Sequence, residues 1–288
     1  MPIIFRVFIF FHVFIYGIGS QFLILPFSSK ELSIGSHPTL FEHDPVNPSL
    51  YYANENRPSI SFNQGTWFGD VALTKASCNF EKNNVITHFG FKYSGITDLE
   101  FRNGSPSDSP LSFFSSFGLS FDAGKAFIRG NQRYGISISY VHFGIFTYES
   151  KGLGFNFGYS RDLVNKIKVG AVVQNVGKMS KLRTDKILLP QRVLMGCSKE
   201  FKINQIKTSV YASLEKNSLI STVKIHIGNH FNWNRINLYS GVSSSRDVLE
   251  GSIGFGFFLS RFEVVYGLRF GSQNIGIPQI ISIRFLMS

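Results

Sequence analysis

The stretch Arg261-Phe262-Glu263-Val264-Val265-Tyr266-Gly267-Leu268-Arg269-Phe270-Gly271 decides the fold class. Side chains of an extended chain alternate between two faces. Phe262, Val264, Tyr266, Leu268 and Phe270 therefore share one face, and Arg261, Glu263, Val265, Gly267 and Arg269 the other. The closing run repeats the pattern, with Ile281, Ile283, Phe285 and Met287 against Ile280, Ser282, Arg284 and Leu286. The run before it sets Ile253, Phe255, Phe257 and Leu259 against Ser252, Gly254, Gly256 and Phe258. Residues 251–288 thus read as three strands, each with one oily side. Alone they fit half a soluble sandwich as well as part of a membrane wall. The distinction is whether the oily sides meet protein or lipid.

Composition points to lipid. Soluble domains carry about 25% charged residues, whereas this chain has 16%, with 43% hydrophobic. Yet no stretch after residue 25 is the run of ~20 apolar residues that a spanning helix requires. The 31 Phe and 27 Gly average to a mean hydropathy of +0.06, as expected where lipid-facing and lumen-facing residues alternate. The expectation is an all-β chain forming a transmembrane outer-membrane β-barrel. If Val264 lies near the bilayer midplane, an Arg there would cost ~2–4 kcal/mol.

Pro2 to Tyr16 is apolar apart from Arg6 and His12, and Gly17, Gly19 and Ser20 follow. Residues 1–20 read as a secretory signal peptide cut near Ser20, with a retained membrane anchor as the alternative. The net charge of +11 does not imply nucleic acid. Lys and Arg are scattered, no nucleic-acid motif is present, and a basic surface suits anionic lipid headgroups. Cys78 and Cys197 fall in predicted strands and read as two small apolar side chains rather than a disulfide.

Residues 21–57 do not alternate. Pro26, Pro38, Pro45 and Pro48 make them a segment of turns, expected in a barrel's lumen or under its periplasmic mouth. Residues 58–288 form the barrel. Strands are predicted at 59–66, 69–79, 84–94, 112–122, 134–145, 150–160, 166–175, 191–201, 206–216, 219–229, 235–243, 249–259, 261–271 and 279–287. Fourteen is even, as a closed bacterial barrel requires, and closure removes the edge strands. The long connections 95–111 and 176–190 both follow odd-numbered strands, so both lie at one end, expected to be extracellular. The connection 123–133 falls at the other end, unless Ala126-Phe127-Ile128 extends a strand.

No catalytic or metal constellation stands out, and no enzyme or cofactor is expected. His43 and Asp44 fit a turn before Pro45. His226 and His230 are four apart in a strand, a separation of ~13 Å that does not suit paired ligands. Gly152-Leu153-Gly154 and Gly254-Phe255-Gly256 precede no helix and read as relief of crowding inside a barrel rather than a phosphate cradle.

Several phrases resemble a known family. Val173-Gln174-Asn175-Val176-Gly177-Lys178, followed by Leu188-Leu189-Pro190-Gln191-Arg192-Val193-Leu194-Met195-Gly196, is similar to a stretch of the PorV/PorQ family. These are outer-membrane proteins of the type IX secretion system with a FadL-like fold. Asp44-Pro45-Val46-Asn47-Pro48-Ser49 resembles that family's N-terminal segment. Trp67-Phe68-Gly69-Asp70, Ser107-Asp108-Ser109-Pro110-Leu111 and Pro278-Gln279-Ile280-Ile281 follow in the family's order, the last most like PorQ. Ser49 and Val176 depart from the family's Ala and Leu. The resemblance implies a FadL-like barrel of about fourteen strands with an N-terminal inward segment in the outer membrane of a Gram-negative cell. It implies a non-enzymatic function in type IX secretion, docking or anchoring secreted cargo or the surface attachment machinery through loops 95–111 and 176–190. The partners so implied are outer-membrane lipid and other type IX proteins or cargo. The alternative is a FadL-like channel for hydrophobic small molecules, which an apolar pocket in the lumen would favour. Val265, Phe258 and Leu286 on the inward face leave that question open.

Overall fold

The computed structural model describes residues 19–35, 39–41, 45–53, 58–102, 109–203, 205–220, 222–246, 248–271 and 276–287. The alternating segments form β1 (Ser59–Trp67), β2 (Val71–Lys82), β3 (Val85–Phe101), β4 (Ser112–Arg129), β5 (Gln132–Ile145), β6 (Tyr148–Asp162) and β7 (Ile167–Met179). After a small ribbon, β8 (Lys181–Leu182) with β9 (Asp185–Lys186), come β10 (Arg192–Ile203), β11 (Ile206–Asn217), β12 (Lys224–Trp233), β13 (Ile236–Ser244), β14 (Leu249–Leu259), β15 (Phe262–Gly271) and β16 (Gln279–Leu286). Apart from the ribbon, each strand pairs antiparallel with the next, β7 with β10, and β16 with β1. The result is a closed barrel of fourteen strands.

The opening stretch shows the wall's logic. Phe262, Tyr266 and Phe270 are 49%, 42% and 50% exposed, while Glu263, Val265 and Arg269 between them are buried. The oily side thus faces out around the whole wall and the small or polar side faces in. Cys78 and Cys197 are free, sit on the outer side of β2 and β10, and are not on neighbouring strands.

One end carries only short turns, such as 83–84, 130–131, 234–235 and 260–261. At the first of these Asn83 and Asn84 both have positive φ, 54° and 61°, the type I′ geometry that matches strand twist. The long connections gather at the opposite, loop end. The connection 123–133 is absent: β4 continues through Ala126-Phe127-Ile128 to Arg129, and the turn is Gly130 (φ 61°) and Asn131. The strand predicted at 219–229 instead spans Lys224–Trp233. Leu219 and Ile220 are drawn into a turn because their amides donate to Asn217 Oδ1 at 2.9 and 3.0 Å. Similarly, β2 starts at Val71 because Phe68–Asp70 form a single 3₁₀ turn. The wall is uneven, with 17 and 18 residues in β3 and β4 but 10 and 8 in β15 and β16.

The described parts of residues 21–57 lie inside this wall. A 3₁₀ turn (Ser20–Ile24), helix α1 (Ser29–Ser33) and a second 3₁₀ turn (Pro48–Leu50) form a plug. Helix α1 is only five residues long, so its stability comes from packing and caps rather than propensity. The Glu31 amide donates to Ser28 Oγ at 3.2 Å, and the Phe27 amide donates to Glu31 Oε2 at 3.1 Å. Residues 1–18, which hold most of the predicted signal peptide, and His43 and Asp44 lie outside the described residues.

Candidate functional site

The lumen is shaped to hold the plug. Gly228, Gly241, Gly254 and Gly267 stand thirteen residues apart in sequence; Gly228 faces Gly241 on β12 and β13, Gly254 faces Gly267 on β14 and β15, and the two pairs are offset by two residues. A Cβ at Gly228 would run into Ile34, at Gly241 into Gly35, and at Gly254 or Gly267 into Ser33. These glycines make a trough into which α1 and the turn after it settle. Polar residues beside the trough fix the backbone. The Ser29 amide donates to Ser282 Oγ at 2.9 Å, the Gly35 amide to Ser252 Oγ at 3.0 Å, and Ser252 Oγ to the Ser33 carbonyl at 3.0 Å.

A second notch receives Asn47-Pro48-Ser49. Asn47 Nδ2 donates to the carbonyls of Tyr159 at 3.1 Å and Ala171 at 3.3 Å. Its Oδ1 accepts from the Ser49 amide at 3.0 Å, which caps the short 3₁₀ turn. A Cβ on Gly158 would meet Asn47 Oδ1, and one on Gly135 would meet Pro48 and Ser49. Gly135 and Gly158 are opposite each other on β5 and β6.

The phrases Gln174-Asn175 and Pro190-Gln191-Arg192 meet at a third point. Asn175 has φ 60° at a β-bulge between β6 and β7. It donates from Nδ2 to the Pro190 carbonyl at 2.9 Å, while its amide donates to Asn156 Oδ1 at 2.8 Å. Gln174 Nε2 donates to the Val46 carbonyl at 2.7 Å and its Oε1 accepts from Arg192 Nε at 2.5 Å. The motif residues thus tie the wall, the plug and the loop before β10 together. That loop differs from the expectation of an outward-presented surface. Ile187 and Leu189 are buried, Leu189 packs with Phe22, Leu23 and Phe27 of the plug, and Ser20 Oγ donates to the Leu188 carbonyl at 2.5 Å. Two apolar side chains beside the plug hide more surface turned in than turned out. The β8–β9 ribbon of this connection remains exposed, and residues 103–108 of the other long loop lie outside the described residues.

Charged groups inside the lumen are paired, as their desolvation demands. Glu263 accepts Lys30 of the plug at 2.7 Å and Arg284 at 2.5 Å. Glu250 accepts Lys224 at 2.7 Å and also pairs with Arg269. His226 Nδ1 donates to the Gly35 carbonyl at 2.6 Å, and its Nε2 lies 3.1 Å from Glu215. His230 stacks on Tyr239 with ring centroids 4.6 Å apart. The two histidines therefore do different jobs, one on the plug and one in an aromatic wall, and no group of three metal-ligating side chains occurs among the described residues.

Two lumenal cavities flank the plug. The larger, about 690 Å³, lies toward the turn end and is lined largely by polar residues, including Lys207, Asn232 and Asn237, over Phe41 and Tyr239; Phe258 is on its wall. The smaller, about 60 Å³, lies between the plug and β2 to β7 and includes Lys92, Asp122 and Arg192. Val265 belongs to neither and packs with Ile34, Leu40 and Phe41. The apolar side chains near the loop end are the plug's own Phe22, Leu23 and Phe27 against Leu73, Val141, Leu189 and Ile280. Above them, Phe101 stacks on Phe146 at 5.7 Å and Phe114 meets Phe146 edge-on at 5.8 Å. Phe101 and Phe146 are exposed there.

Sequence reading did not find the trough, although the thirteen-residue glycine spacing was there to be read. The phrases quoted for the resemblance contain Asn47, Gln174, Asn175 and Arg192; Asn47, Gln174 and Arg192 fasten the plug to the wall, and Asn175 fastens the loop before β10.

This architecture is that of the FadL-like outer-membrane barrels. No family model and no curated protein matches the chain. Solved structures do. The Ralstonia pickettii toluene transporter TbuX is 11% identical with a TM-score of 0.65, covering 93% of this chain and 100% of that one. The Pseudomonas putida toluene transporter TodX is 9% identical with a TM-score of 0.63, covering 90% and 96%. A Pseudomonas aeruginosa FadL homologue is 9% identical with a TM-score of 0.59, covering 92% and 99%. At these identities the likeness is one of fold.

Proposed function

We propose that the protein is a Gram-negative outer-membrane channel for hydrophobic small molecules, held closed by its N-terminal plug. The observation that carries this reading is the apolar course at the loop end. Exposed Phe101 and Phe146, with half-buried Phe114, form an aromatic patch beside the mouth. Beneath the mouth, Phe22, Leu23 and Phe27 of the plug face Leu73, Val141 and Ile280 of the wall. A hydrophobe gathered by the patch meets an apolar plug, and a shift of Ser20–Phe27 exposes an apolar wall to it. The two similar barrels described as toluene transporters support the same reading. No step of it calls for an enzyme. The test is uptake of a labelled monoaromatic hydrocarbon by cells carrying the gene or its deletion. Uptake that falls on deletion, and falls again with Phe101→Ala plus Phe146→Ala, supports the channel; uptake unchanged by both refutes it.

A second reading is kept for one observation. Both lumenal cavities are lined largely by polar side chains, which suits a hydrophobe poorly. The resemblance to PorV/PorQ proteins supports a non-enzymatic role in type IX secretion, with cargo or attachment proteins as partners. A deletion strain that secretes and anchors type IX cargo normally removes this reading, and copurification of a secretion component in mild detergent supports it.

A further inference from the structure

The scattered basic residues of the sequence become ordered in the barrel. On the outer face near the turn end, β2, β4 and β6 present Lys82, Lys125, Arg129 and Arg161, all exposed. Among the described residues none of the four has a hydrogen-bond or ion-pair partner, and no carboxylate shares that outer face near the turns. The loop end differs, since Glu149 there pairs with His142 at 3.2 Å and Lys151 at 3.3 Å.

Lys125 also borders a groove of about 370 Å³ in the outer wall. Along one row of the sheet Phe89, Ala123, Ile138 and Phe155 stand side by side. Ala123 is short between two large neighbours, so the surface dips there, and the lining of the dip is almost entirely carbon. Lys125 and Arg129 follow on the same face of β4 toward the turns, Arg129 ~13 Å further along the strand than Lys125. A Lys on a lipid-facing wall extends its ammonium toward the headgroups.

We propose that this groove and its basic border bind one anionic phospholipid from the leaflet at the turn end. An acyl chain lies along Phe89, Ala123 and Ile138, the phosphate meets Lys125, and Arg129 adds positive charge nearer the turns. Both parts are required: the dip selects a chain, and the unpaired cations select a negative headgroup. The proposal rests on the membrane-spanning reading above.

The test uses the full chain in nanodiscs of phosphatidylcholine containing a small fraction of phosphatidylglycerol, with native mass spectrometry reading the lipids retained. Phosphatidylglycerol should be retained preferentially. Lys125→Gln should lower that preference about fivefold, the value of one cation near an anionic surface. Ala123→Phe, which fills the dip, should lower retention of the same lipid while the barrel still migrates as folded in an unboiled gel. Lys178→Gln at the loop end should change nothing. Equal retention of both lipids by the unaltered protein, or an unchanged preference in Lys125→Gln, overturns the proposal. Displacement by inorganic phosphate with no dependence on Ala123 would assign the cations to a free anion and overturn it too. Failure of the membrane reading looks different, because the chain would then neither fractionate with outer membranes nor enter the nanodisc.

Discussion

At the scale of single residues, Asn47 is defined by what is missing opposite it. Gly158 carries no side chain where Asn47 Oδ1 sits, and Asn47 Nδ2 satisfies two wall carbonyls. Asn47→Ala removes those donors and the cap together, and should weaken plug docking by about 1–3 kcal/mol. Hydrogen exchange is the measurement: amides of residues 45–53 should exchange at least about fivefold faster while those of β5 to β7 do not change. Gly158→Ala should do the same from the other side, by steric conflict. Equal exchange in both variants and the parent protein would deny the latch. Sequence alone marked Asn47-Pro48 as a turn, which it is, but its partners are more than a hundred residues away. Local patterns report what a residue does to its own backbone, and here the larger part of its work is done on another strand.

At the scale of elements, the strands were legible and the plug's seat was not, for one physical reason. Burying one face of a strand leaves a period-two record over its whole length, so most of the fourteen strands fall close to their predicted places. Both β3 and β4 run seven residues past their predicted ends, to Phe101 and Arg129, taking up part of the expected connections 95–111 and 123–133, and β12 was displaced because Leu219 and Ile220 are apolar yet held in a turn by Asn217. A five-residue helix leaves no period to read, and the plug's hydrogen bonds run to serines spread over the whole wall. The inward fold of Ile187–Pro190 was equally hidden, since a loop that turns into the lumen has the same composition as one that turns out. The glycine trough is the element most open to test. Gly241→Val would place a branched side chain against Ile34 and Gly35. It should unseat α1 without breaking the barrel's hydrogen-bonded wall. The expected result is a barrel that still resists SDS when unboiled, combined with new protease sensitivity near Ser29–Gly35; a plug that stays protected would show that the trough is dispensable.

At the scale of the whole molecule, the outer wall and the plug answer to different forces. The wall's outer face is stabilised by lipid, and its sensitivity should depend on depth. Val264 is the third residue of β15 from the turn end rather than a midplane residue, so Val264→Arg should cost only ~0–1 kcal/mol, whereas Ile253→Arg, in the middle of β14, should cost ~2–4 kcal/mol. Refolding titrations into lipid vesicles would read that gradient, and equal costs would contradict the assigned lipid belt. The plug, by contrast, is held by serine and asparagine hydrogen bonds, the Lys30–Glu263 pair and a modest apolar packing against the loop end. The fourteen-strand ladder closes without it, each strand being hydrogen-bonded to its two neighbours in the wall. Deleting Gln21–Gly35 should therefore leave a heat-modifiable barrel in the membrane but remove the apolar block beneath the loop-end mouth. In planar bilayers the parent protein should be nearly silent and the deletion should conduct in steps, with charged residues such as Arg269, Glu250 and Lys224 now lining a wet path. A barrel that folds yet stays silent would mean that Ile187–Pro190 and the residual plug close the lumen by themselves, and gating would then belong to the loop rather than to the N-terminal segment.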